Sequence, residues 1–309
     1  MKSVIATSPV NIALIKYWGK ANRTLVLPTT TSISLTLTDL FTETKIEEGP
    51  FSFELNQKTA DEKETERVKA VLKHFRDDQV MIRSINNFPT ASGLASSASG
   101  FAALTVGLNA HFQSHYTLQE LATLTRIGSG SSCRSLVDDF AIWEKNGSLR
   151  TLKNPFQDLR MIVVLISEAK KAMSSRDAMQ VTMDTAKDYG AWVKASDQDF
   201  LEITAAIEKK DWMSMGFVME KNSQRLHQIM NQANPPIVYQ QPESLKVLQM
   251  VTEARSKGLV GFTTMDAGPN VKILIQGQDL PLWEKQLKAN IKARYLVSRI
   301  GGKAHAKTS

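Results

Sequence analysis

The segment PTASGLASSASG, from Pro89 to Gly100, is a run of small residues between two regions of different character. Residues 80–85 alternate as in a β-strand, and apolar side chains recur at helical spacing over residues 101–108. Glycine lets the backbone approach an anion closely, and the first N–H groups of a helix are free to bind one. The sequence therefore predicts a strand, a phosphate-binding loop and a helix.

This loop differs from the common nucleotide-binding motifs. It matches neither GxxxxGK[ST] nor GxGxxG, and it contains no lysine. Its donors would be backbone N–H groups near Gly93 and the hydroxyl groups of Ser96, Ser97 and Ser99. Glycine and serine also occur in ordinary connections, so a loop without a ligand is the alternative.

Composition limits the class of protein. A chain of 309 residues with 42% hydrophobic residues can form one large or two ordinary domains, and we expect two. Apolar stretches are much shorter than the roughly 20 residues that a membrane span needs, and the N-terminus lacks a signal-peptide pattern. Cys133 is the only cysteine, which excludes an internal disulfide and fits the cytoplasm. The histidines show no metal-binding spacing, and His227 is expected at the surface or at a helix cap.

The net charge of +7 would suit nucleic acid, an anionic membrane surface or a polyanionic small molecule. Basic residues are mostly interleaved with acidic ones, as in DEKETERVK. A mixed, solvated surface therefore accounts for most of the charge, and only the excess indicates an anionic ligand.

Two further segments offer donors for an anion. GSGSSCRS, from Gly128 to Ser135, follows a helix that begins at a capping box formed by Thr117 and Glu120. In NIALIKYWGK, from Asn11, two lysines bracket two aromatic residues and a glycine; they are either solvated at a strand end or ligands of an anion. Two Gly/Ser loops and one arginine favour a ligand with several phosphate or carboxylate groups.

The second half of the chain is richer in helix. Ser174 is a predicted N-cap, and helical patterns follow over residues 199–209, 211–230 and 243–257. Strand-type runs over residues 161–166, 260–264, 271–275 and 293–300 are interspersed, and the GGKAHAKTS tail is expected to be disordered. Asp266, in the loop between two of these runs, is the candidate catalytic base; an ordinary turn aspartate is the alternative.

Together these segments resemble the diphosphomevalonate decarboxylase family of the GHMP kinase superfamily. The resemblance rests on NIALIKYWGK, NNFPTASGLASSASG, GSGSSCRS, SSRDAM and TMDAGPN, in the family's order and spacing, and it covers nearly the whole chain. It implies an α+β, two-domain GHMP-kinase fold with the active site in the cleft between domains. Residues 1–157 would form a ribosomal-protein-S5-like ATP-binding domain, and residues 158–309 a ferredoxin-like α/β sandwich.

The resemblance also implies a reaction: ATP- and Mg²⁺-dependent decarboxylation of diphosphomevalonate to isopentenyl diphosphate, in the mevalonate pathway of isoprenoid biosynthesis. The implied catalytic residues are Asp266, Arg134, Asn11 and Lys20. The implied substrate-binding residues are Tyr17, Trp18, Gly19, Lys20, Arg67, Ser129, Gly130, Ser131, Ser132, Cys133, Arg134, Ser175 and Arg176. The implied ATP-binding residues are Pro89, Ser92, Gly93, Leu94, Ala95, Ser96, Ser97 and Ser99, with Ser96 or Ser97 as candidate Mg²⁺ ligands. A cytoplasmic homodimer without nucleic-acid or membrane partners is the corresponding expectation.

One segment departs from the family pattern. After GSGSSCRS the family usually has an aromatic residue and one or two glycines, whereas this chain has Leu136, Val137, Asp138 and Asp139. Two carboxylates within ~4 Å of a diphosphate would repel it by a few kcal/mol. Either they turn to solvent or bind Mg²⁺, or the chain has lost affinity or uses another substrate.

Two other functions are compatible with parts of the sequence. A kinase of the same superfamily could stop after phosphorylating mevalonate or its monophosphate, but it would not need Asp266, Arg134 and Lys20 together. An RNA-binding module would suit the basic charge and the ribosomal-protein likeness. The chain lacks the basic stripe with interleaved aromatic residues that such a module uses.

Overall fold

The protein folds into two main sheets, which share a core and are covered by helices, and one small two-stranded sheet formed by residues 20–22 and 27–28. The structure, a computed structural model, describes residues 3–75, 79–89, 94, 96–169 and 173–308. Its strands are β1 (Ser3–Ile15), β2 (Lys20–Asn22), β3 (Leu27–Pro28), β4 (Ser32–Glu48), β5 (Ser52–Leu55), β6 (Lys58–Thr59), β7 (Val80–Asn86), β8 (Phe140–Trp143), β9 (Leu149–Leu152), β10 (Leu159–Leu165), β11 (Gly261–Met265), β12 (Val271–Gln276), β13 (Arg294–Arg299) and β14 (His305–Thr308).

The first sheet has the strand order β14-β1-β4-β7-β5-β6, with β8 pairing to β4 and β9 pairing to β8. The long strands β1 and β4 are antiparallel, whereas β5 and β7 are parallel. The second sheet, β11-β12-β10-β13, is antiparallel throughout. A mixed sheet followed by an antiparallel one, with helices on both, gives the expected α+β fold.

The helices are α1 (Glu62–Leu72), α2 (Ser96–His111), α3 (Leu118–Gly128), α4 (Ser175–Thr185), α5 (Tyr189–Glu208), α6 (Trp212–Asn231), α7 (Pro242–Ser256) and α8 (Leu280–Asn290). Their beginnings follow local capping chemistry. Thr117 and Glu120 form the predicted capping box of α3, and the Ser174 hydroxyl accepts a hydrogen bond from the Asp177 N–H at the start of α4. Among the described residues, no helix is long and apolar enough to cross a membrane.

The main core joins the two sheets. It combines Ile12 and Leu35 of the first sheet with Met161, Phe262 and Leu274 of the second. Each of these side chains is completely buried. Because the two halves bury this surface together, the ends of β1 and β11 are held next to each other.

Several predictions about the second half were wrong. The tail forms β14, which pairs antiparallel with β1 over residues 305–308. α5 begins ten residues before the predicted segment, and α8 was missed. His227 is 8% exposed and therefore lies in the interior.

Candidate active site

Asp266 lies just beyond the C-terminal end of β11, between two buried lysines. Its Oδ1 is 2.7 Å from the Lys16 Nζ, and its Oδ2 is 3.0 Å from the Lys272 Nζ. The lysine side chains are 2% and 1% exposed, whereas that of Asp266 is 29% exposed. Asp266 is therefore the member of this cluster that a ligand can reach.

The charges of this cluster shift the pKa values of its members. Burial alone would raise the pKa of Asp266, but Lys16 and Lys272 outweigh it and hold that pKa well below its usual range. Burial lowers the pKa of Lys16 to about 8, although Asp266 partly offsets it. At neutral pH the site thus holds an ionised carboxylate between ammonium groups.

Hairpin geometry brings Lys272 to Asp266. β11 and β12 pair in the register Thr264 with Lys272 and Met265 with Val271, so Asp266 starts the loop beside Lys272. The Lys16 ammonium approaches from β1, where it also donates a hydrogen bond to the Ala13 carbonyl at 2.8 Å. Both halves of the chain therefore contribute to this cluster.

Arg134 and Asn11 form a second buried group close to the first. Arg134 donates one hydrogen bond to the Ser32 hydroxyl at 2.8 Å and one to the Asn11 side-chain oxygen at 3.3 Å. The Asn11 amide nitrogen donates to the Ser135 hydroxyl at 2.8 Å and to the Ser131 carbonyl at 3.2 Å. Burial lowers the pKa of Arg134, and the neighbouring groups Cys133, Asp266 and Tyr17 partly offset this effect.

A third group of predicted residues is basic. Arg67 donates to the Gly128 carbonyl from both Nε, at 3.1 Å, and Nη2, at 2.7 Å, and Arg176 donates to the same oxygen at 3.3 Å. Burial, then Arg176, lowers the pKa of Arg67 to about 10. Burial, Arg176, Arg23 and Arg67 together lower the pKa of Lys20.

This basic group has an excess of positive charge. Among the described residues, no carboxylate lies within 4.0 Å of a nitrogen of Lys20, Arg67 or Arg176. The charge of Arg176 contributes, after burial, to the lowered pKa values of both Lys20 and Arg67, as expected for cations that repel one another. An anion bound among them would relieve that repulsion.

The predicted aromatic residues Tyr17 and Trp18 enclose the same region. The Tyr17 ring packs at 4.7 Å from the Trp143 ring, and burial raises the pKa of its hydroxyl group. Within the described ranges, the Tyr17 hydroxyl and the Trp18 indole N–H are buried without a hydrogen-bond partner. Gly19, with φ +139°, allows the Tyr189 hydroxyl group to pack against its Cα, where a Cβ would lie 1.7 Å from that oxygen.

The residues of the second Gly/Ser loop, from Gly128 to Ser135, differ in their exposure. Gly130 packs against the Tyr17 hydroxyl, where a Cβ would lie 2.7 Å from that oxygen. Ser129 and Ser131 are partly exposed, whereas Ser132 and Cys133 are completely buried. The Ser132 hydroxyl donates to the Thr125 carbonyl at 2.9 Å, which directs it into the protein.

The predicted ATP loop is only partly described. Ser92, Gly93 and Ala95 lie outside the described residues. Ser96 begins α2, as predicted, and Ser97 is exposed there.

The Ser99 hydroxyl is completely buried against that of Thr42 at 2.7 Å, and Leu94 lies in the main core. Pro89 is partly exposed, as is Ser175 at the start of α4.

Asp138 and Asp139 have structural partners. The Asp138 Oδ1 accepts hydrogen bonds from the backbone N–H groups of Asp139, at 2.7 Å, and Gly302, at 2.9 Å. The Asp139 Oδ1 accepts one from the Asn154 N–H at 3.2 Å. No group of three or more possible metal ligands occurs within the part of the chain that the structure describes. Of the alternatives above, these contacts favour carboxylates that turn to solvent, since Asp138 is exposed and Asp139 partly exposed.

The sequence reasoning did not assign Lys16 or Lys272 to the catalytic cluster. A signal was present, because Lys272 interrupts the apolar run VKILI in a strand that is buried from Val271 to Ile275. A lysine is rarely buried unless it is paired, so it required an acidic partner. Lys16 likewise follows the buried end of β1.

The fold and this site define a class of protein. A mixed sheet joined to an antiparallel sheet, with a Gly/Ser-rich sequence before α2 and charged groups where the sheets meet, is the GHMP kinase fold. Two family models match: a diphosphomevalonate decarboxylase-like N-terminal domain over residues 8–152, and a mevalonate 5-diphosphate decarboxylase C-terminal domain over residues 161–306. The chain therefore belongs to the diphosphomevalonate decarboxylase family.

Individual relatives agree with this classification. Diphosphomevalonate decarboxylase of Candida albicans is 35% identical over 306 residues, which cover 88% of this chain and 84% of the relative. The crystal structure of mevalonate diphosphate decarboxylase from Staphylococcus aureus superposes with a TM-score of 0.93 at 36% identity, covering 100% of this chain and 98% of the other. A structure of MDDEF in complex with MVAPP, AMPPCP and magnesium has the same TM-score at 35% identity, covering 100% and 99%.

Proposed function

We propose that this chain catalyses the ATP-dependent decarboxylation of diphosphomevalonate to isopentenyl diphosphate, CO₂, ADP and phosphate. The observation that carries this proposal is the position of Asp266, a reachable carboxylate held ionised between Lys16 and Lys272. Arg134 lies close enough for their charges to interact. Such a site can orient an alcohol and stabilise the negative charge that develops around it.

In the first step the tertiary hydroxyl oxygen of the substrate forms a bond to the γ-phosphorus of ATP, and the bond from that phosphorus to the β-phosphate oxygen breaks. Asp266 orients the hydroxyl group and accepts its proton. Its low pKa makes it a weak base, but phosphoryl transfer through a loose transition state requires positioning more than base strength. The ammonium groups of Lys16 and Lys272 stabilise the charge on the reacting oxygens.

In the second step the carbon–oxygen bond to the new phosphate breaks. The bond to the carboxylate carbon then breaks, CO₂ leaves, and its electron pair forms the alkene. We assign Arg134 and Asn11 to orientation of the substrate carboxylate and the reacting carbon. The buried hydrogen bond between them, together with their bonds to Ser32 and Ser135, fixes both side chains before substrate binds.

We assign the diphosphate to Lys20, Arg67 and Arg176. Their excess positive charge supports this assignment, and arginine suits phosphate because it can donate two parallel hydrogen bonds. The other proposed ligands of the substrate are Tyr17, Trp18, Gly19, Ser129, Gly130, Ser131, Ser132, Cys133 and Ser175. Ser132 and Cys133 would act through their backbone, since their side chains are buried.

The ATP phosphates are assigned to the segment from Pro89 to Ser99. The first turn of α2 offers the Ser96 and Ser97 hydroxyl groups at the N-terminus of a helix, a donor set that fits phosphate and Mg²⁺. When bound, Mg²⁺ neutralises charge on the phosphate oxygens during transfer. Ser99 and Leu94 contribute by packing the helix start.

Product analysis tests the function. With ATP, Mg²⁺ and diphosphomevalonate, the protein is expected to release equal amounts of ADP, phosphate and CO₂. Asp266→Asn is expected to lower kcat about 100-fold or more, the range for loss of a general base. Asp197→Asn, which alters an exposed carboxylate paired with Lys145, is the control and should retain activity. ADP release without CO₂ would indicate a kinase instead.

Three broader features are also proposals. The single cysteine supports a cytoplasmic location. The family resemblance supports a homodimer, which sedimentation equilibrium would test.

We place the domain boundary between residues 157 and 158, in the segment between β9 and β10. β14, at the end of the chain, returns to the first sheet.

A further inference from the structure

One turn of α6 contacts the backbone at the C-terminal ends of β1 and β11, next to Lys16 and Asp266. The Asn222 side-chain oxygen accepts a hydrogen bond from the Lys16 N–H at 2.9 Å. The Ser223 hydroxyl accepts one from the Met265 N–H at 2.8 Å and donates one to the Met265 carbonyl at 3.3 Å. Lys16 is a catalytic-cluster residue, and Met265 directly precedes Asp266. Asn222 is completely buried and Ser223 is 5% exposed.

These contacts matter because no strand pairing links β1 to β11. The two strands belong to different sheets and form no ladder of hydrogen bonds; one long bond of 3.5 Å, from the Thr264 hydroxyl to the Ala13 carbonyl, links them directly. Nevertheless the Lys16 Nζ and the Asp266 Oδ1 are 2.7 Å apart. Two neighbouring side chains of α6 bind one strand end each, and a rigid helix thereby sets the distance between them.

A buried carboxylate orients the Asn222 amide. The Asp199 Oδ2, in α5, accepts a hydrogen bond from the Asn222 amide nitrogen at 3.0 Å. Asp199 is completely buried, and its charge is paired with Arg225 at 2.8 Å and Lys221 at 3.1 Å. Because a carboxylate only accepts hydrogen bonds, it holds the amide nitrogen toward itself and the amide oxygen toward Lys16.

We propose that Asn222, oriented by Asp199 and acting with Ser223, is a positioning residue that sets the separation of Lys16 and Asp266. The inference rests on the proposed function, since it concerns the same reaction. Asn222 touches no reacting atom; it acts through the backbone of Lys16. The buried carboxylate of Asp199, in α5, thus serves to orient the Asn222 amide, a role beyond packing.

The first experiment replaces Asn222 by alanine. Asn222→Ala is expected to lower kcat about 30- to 100-fold per folded molecule, because a shift of about 1 Å in a reacting group has an effect of this size. The KM for diphosphomevalonate should change less than threefold, since the diphosphate-binding residues are untouched. Glu202→Gln is the matched control: Glu202 also pairs with Lys221 but does not contact Asn222. Folded protein is quantified by near-UV circular dichroism.

The second experiment exchanges the two side chains. Asn222→Asp alone opposes two carboxylates and should be inactive or unstable. The double variant Asn222→Asp with Asp199→Asn restores donor and acceptor and should recover at least tenfold in kcat over Asn222→Asp. In the double variant the negative charge lies nearer Lys16 and favours its ammonium form.

The pH profile of the double variant supplies a readout that a purely structural role would not change. The groups whose charges act on Lys16 are Asp266, Lys272 and Arg134, and Lys16 in turn acts on His227. In the wild type, kcat/KM is expected to fall above about pH 8 as Lys16 loses its proton. The fall should begin at higher pH in the double variant.

The outcomes separate the inference from the function. Wild-type kcat in folded Asn222→Ala, or an unshifted pH profile in an active double variant, would overturn the positioning role while wild-type CO₂ release still supports the function. Failure of the wild type to release CO₂ would overturn the proposed function itself.

Discussion

Removal of Lys272 should change the chemistry of Asp266, because Lys272 is one of the two buried cations that contact this carboxylate. Lys272→Met keeps most of the side-chain volume but leaves Asp266 with Lys16 as its remaining close cation. The pKa of Asp266 should then rise toward its usual range, and kcat should fall about tenfold or more. The measurement is the acid limb of kcat/KM, which should move to higher pH in the variant.

The exposed Lys246 provides the control for this change. It pairs with Glu243 on the surface of α7, and Lys246→Met should leave both kcat and the acid limb unchanged. An acid limb in Lys272→Met identical to that of the wild type would mean that Lys272 does not control the ionisation of Asp266.

Arg67 should affect substrate binding more than chemistry. Arg67→Ala removes one cation of the proposed diphosphate site, and the KM for diphosphomevalonate should rise about 10- to 100-fold with kcat within threefold. Steady-state kinetics at fixed ionic strength measures both constants. Arg83→Ala, which removes a surface arginine paired with Glu47, should change neither. A large fall in kcat at unchanged KM would place Arg67 in the chemical step instead.

The sequence could predict single residues where local chemistry was distinctive. Asp266 and Arg134 were singled out as polar residues in short loops, whereas Asn11 was assigned through the family resemblance. The structure joins Asn11 and Arg134 by a hydrogen bond. Lys16 was considered only as part of a lysine-bracketed turn, and Asn222 was not considered. Their roles depend on contacts between residues more than 200 positions apart, which periodicity does not reveal.

At the scale of elements, helix starts were predictable because their signals are local. Thr117 and Glu120, or Ser174, contact backbone groups within three residues. β14 was not predictable in this way, because its stability comes from pairing with β1 some 300 residues earlier. A short polar segment such as His305–Thr308 has no pattern of its own that indicates a strand.

Asp138 fixes the entry of this terminal segment, and its removal tests that role. Asp138→Ala deletes the acceptor for the Asp139 and Gly302 N–H groups. The free energy of unfolding should fall by about 1 to 2 kcal/mol, while kcat and KM remain within twofold of the wild type. Urea unfolding and steady-state kinetics measure the two effects. Glu243→Ala is the surface control, and a changed KM would instead place Asp138 near the substrate.

At the scale of the whole molecule, the sequence predicted the α+β class and the meeting of polar residues from both halves. It did not predict how deeply charged groups are buried where those halves meet. Lys16, Lys272, Arg134, Asp199 and His227 are each at most 8% exposed. Charged residues are normally expected at the surface, and composition gives no reason to expect otherwise. Their burial depends on the fold and on the ion pairs and hydrogen bonds that offset its cost.

His227 makes the stability of the whole molecule sensitive to acid. Burial, together with the charge of Lys16, lowers its pKa from 6.5 to about 4 in the folded protein. Between these pH values the unfolded chain binds more protons at this site, so stability is lost as pH falls from about 6.5 toward 4. The loss attributable to this group is roughly 3 kcal/mol by pH 4.

His227→Gln cannot titrate, and urea unfolding at several pH values should show a shallower fall for the variant than for the wild type. His305→Gln, an exposed histidine in β14, serves as the control with a wild-type slope. Parallel curves for the wild type and His227→Gln would show that burial of this ring does not couple folding to protons.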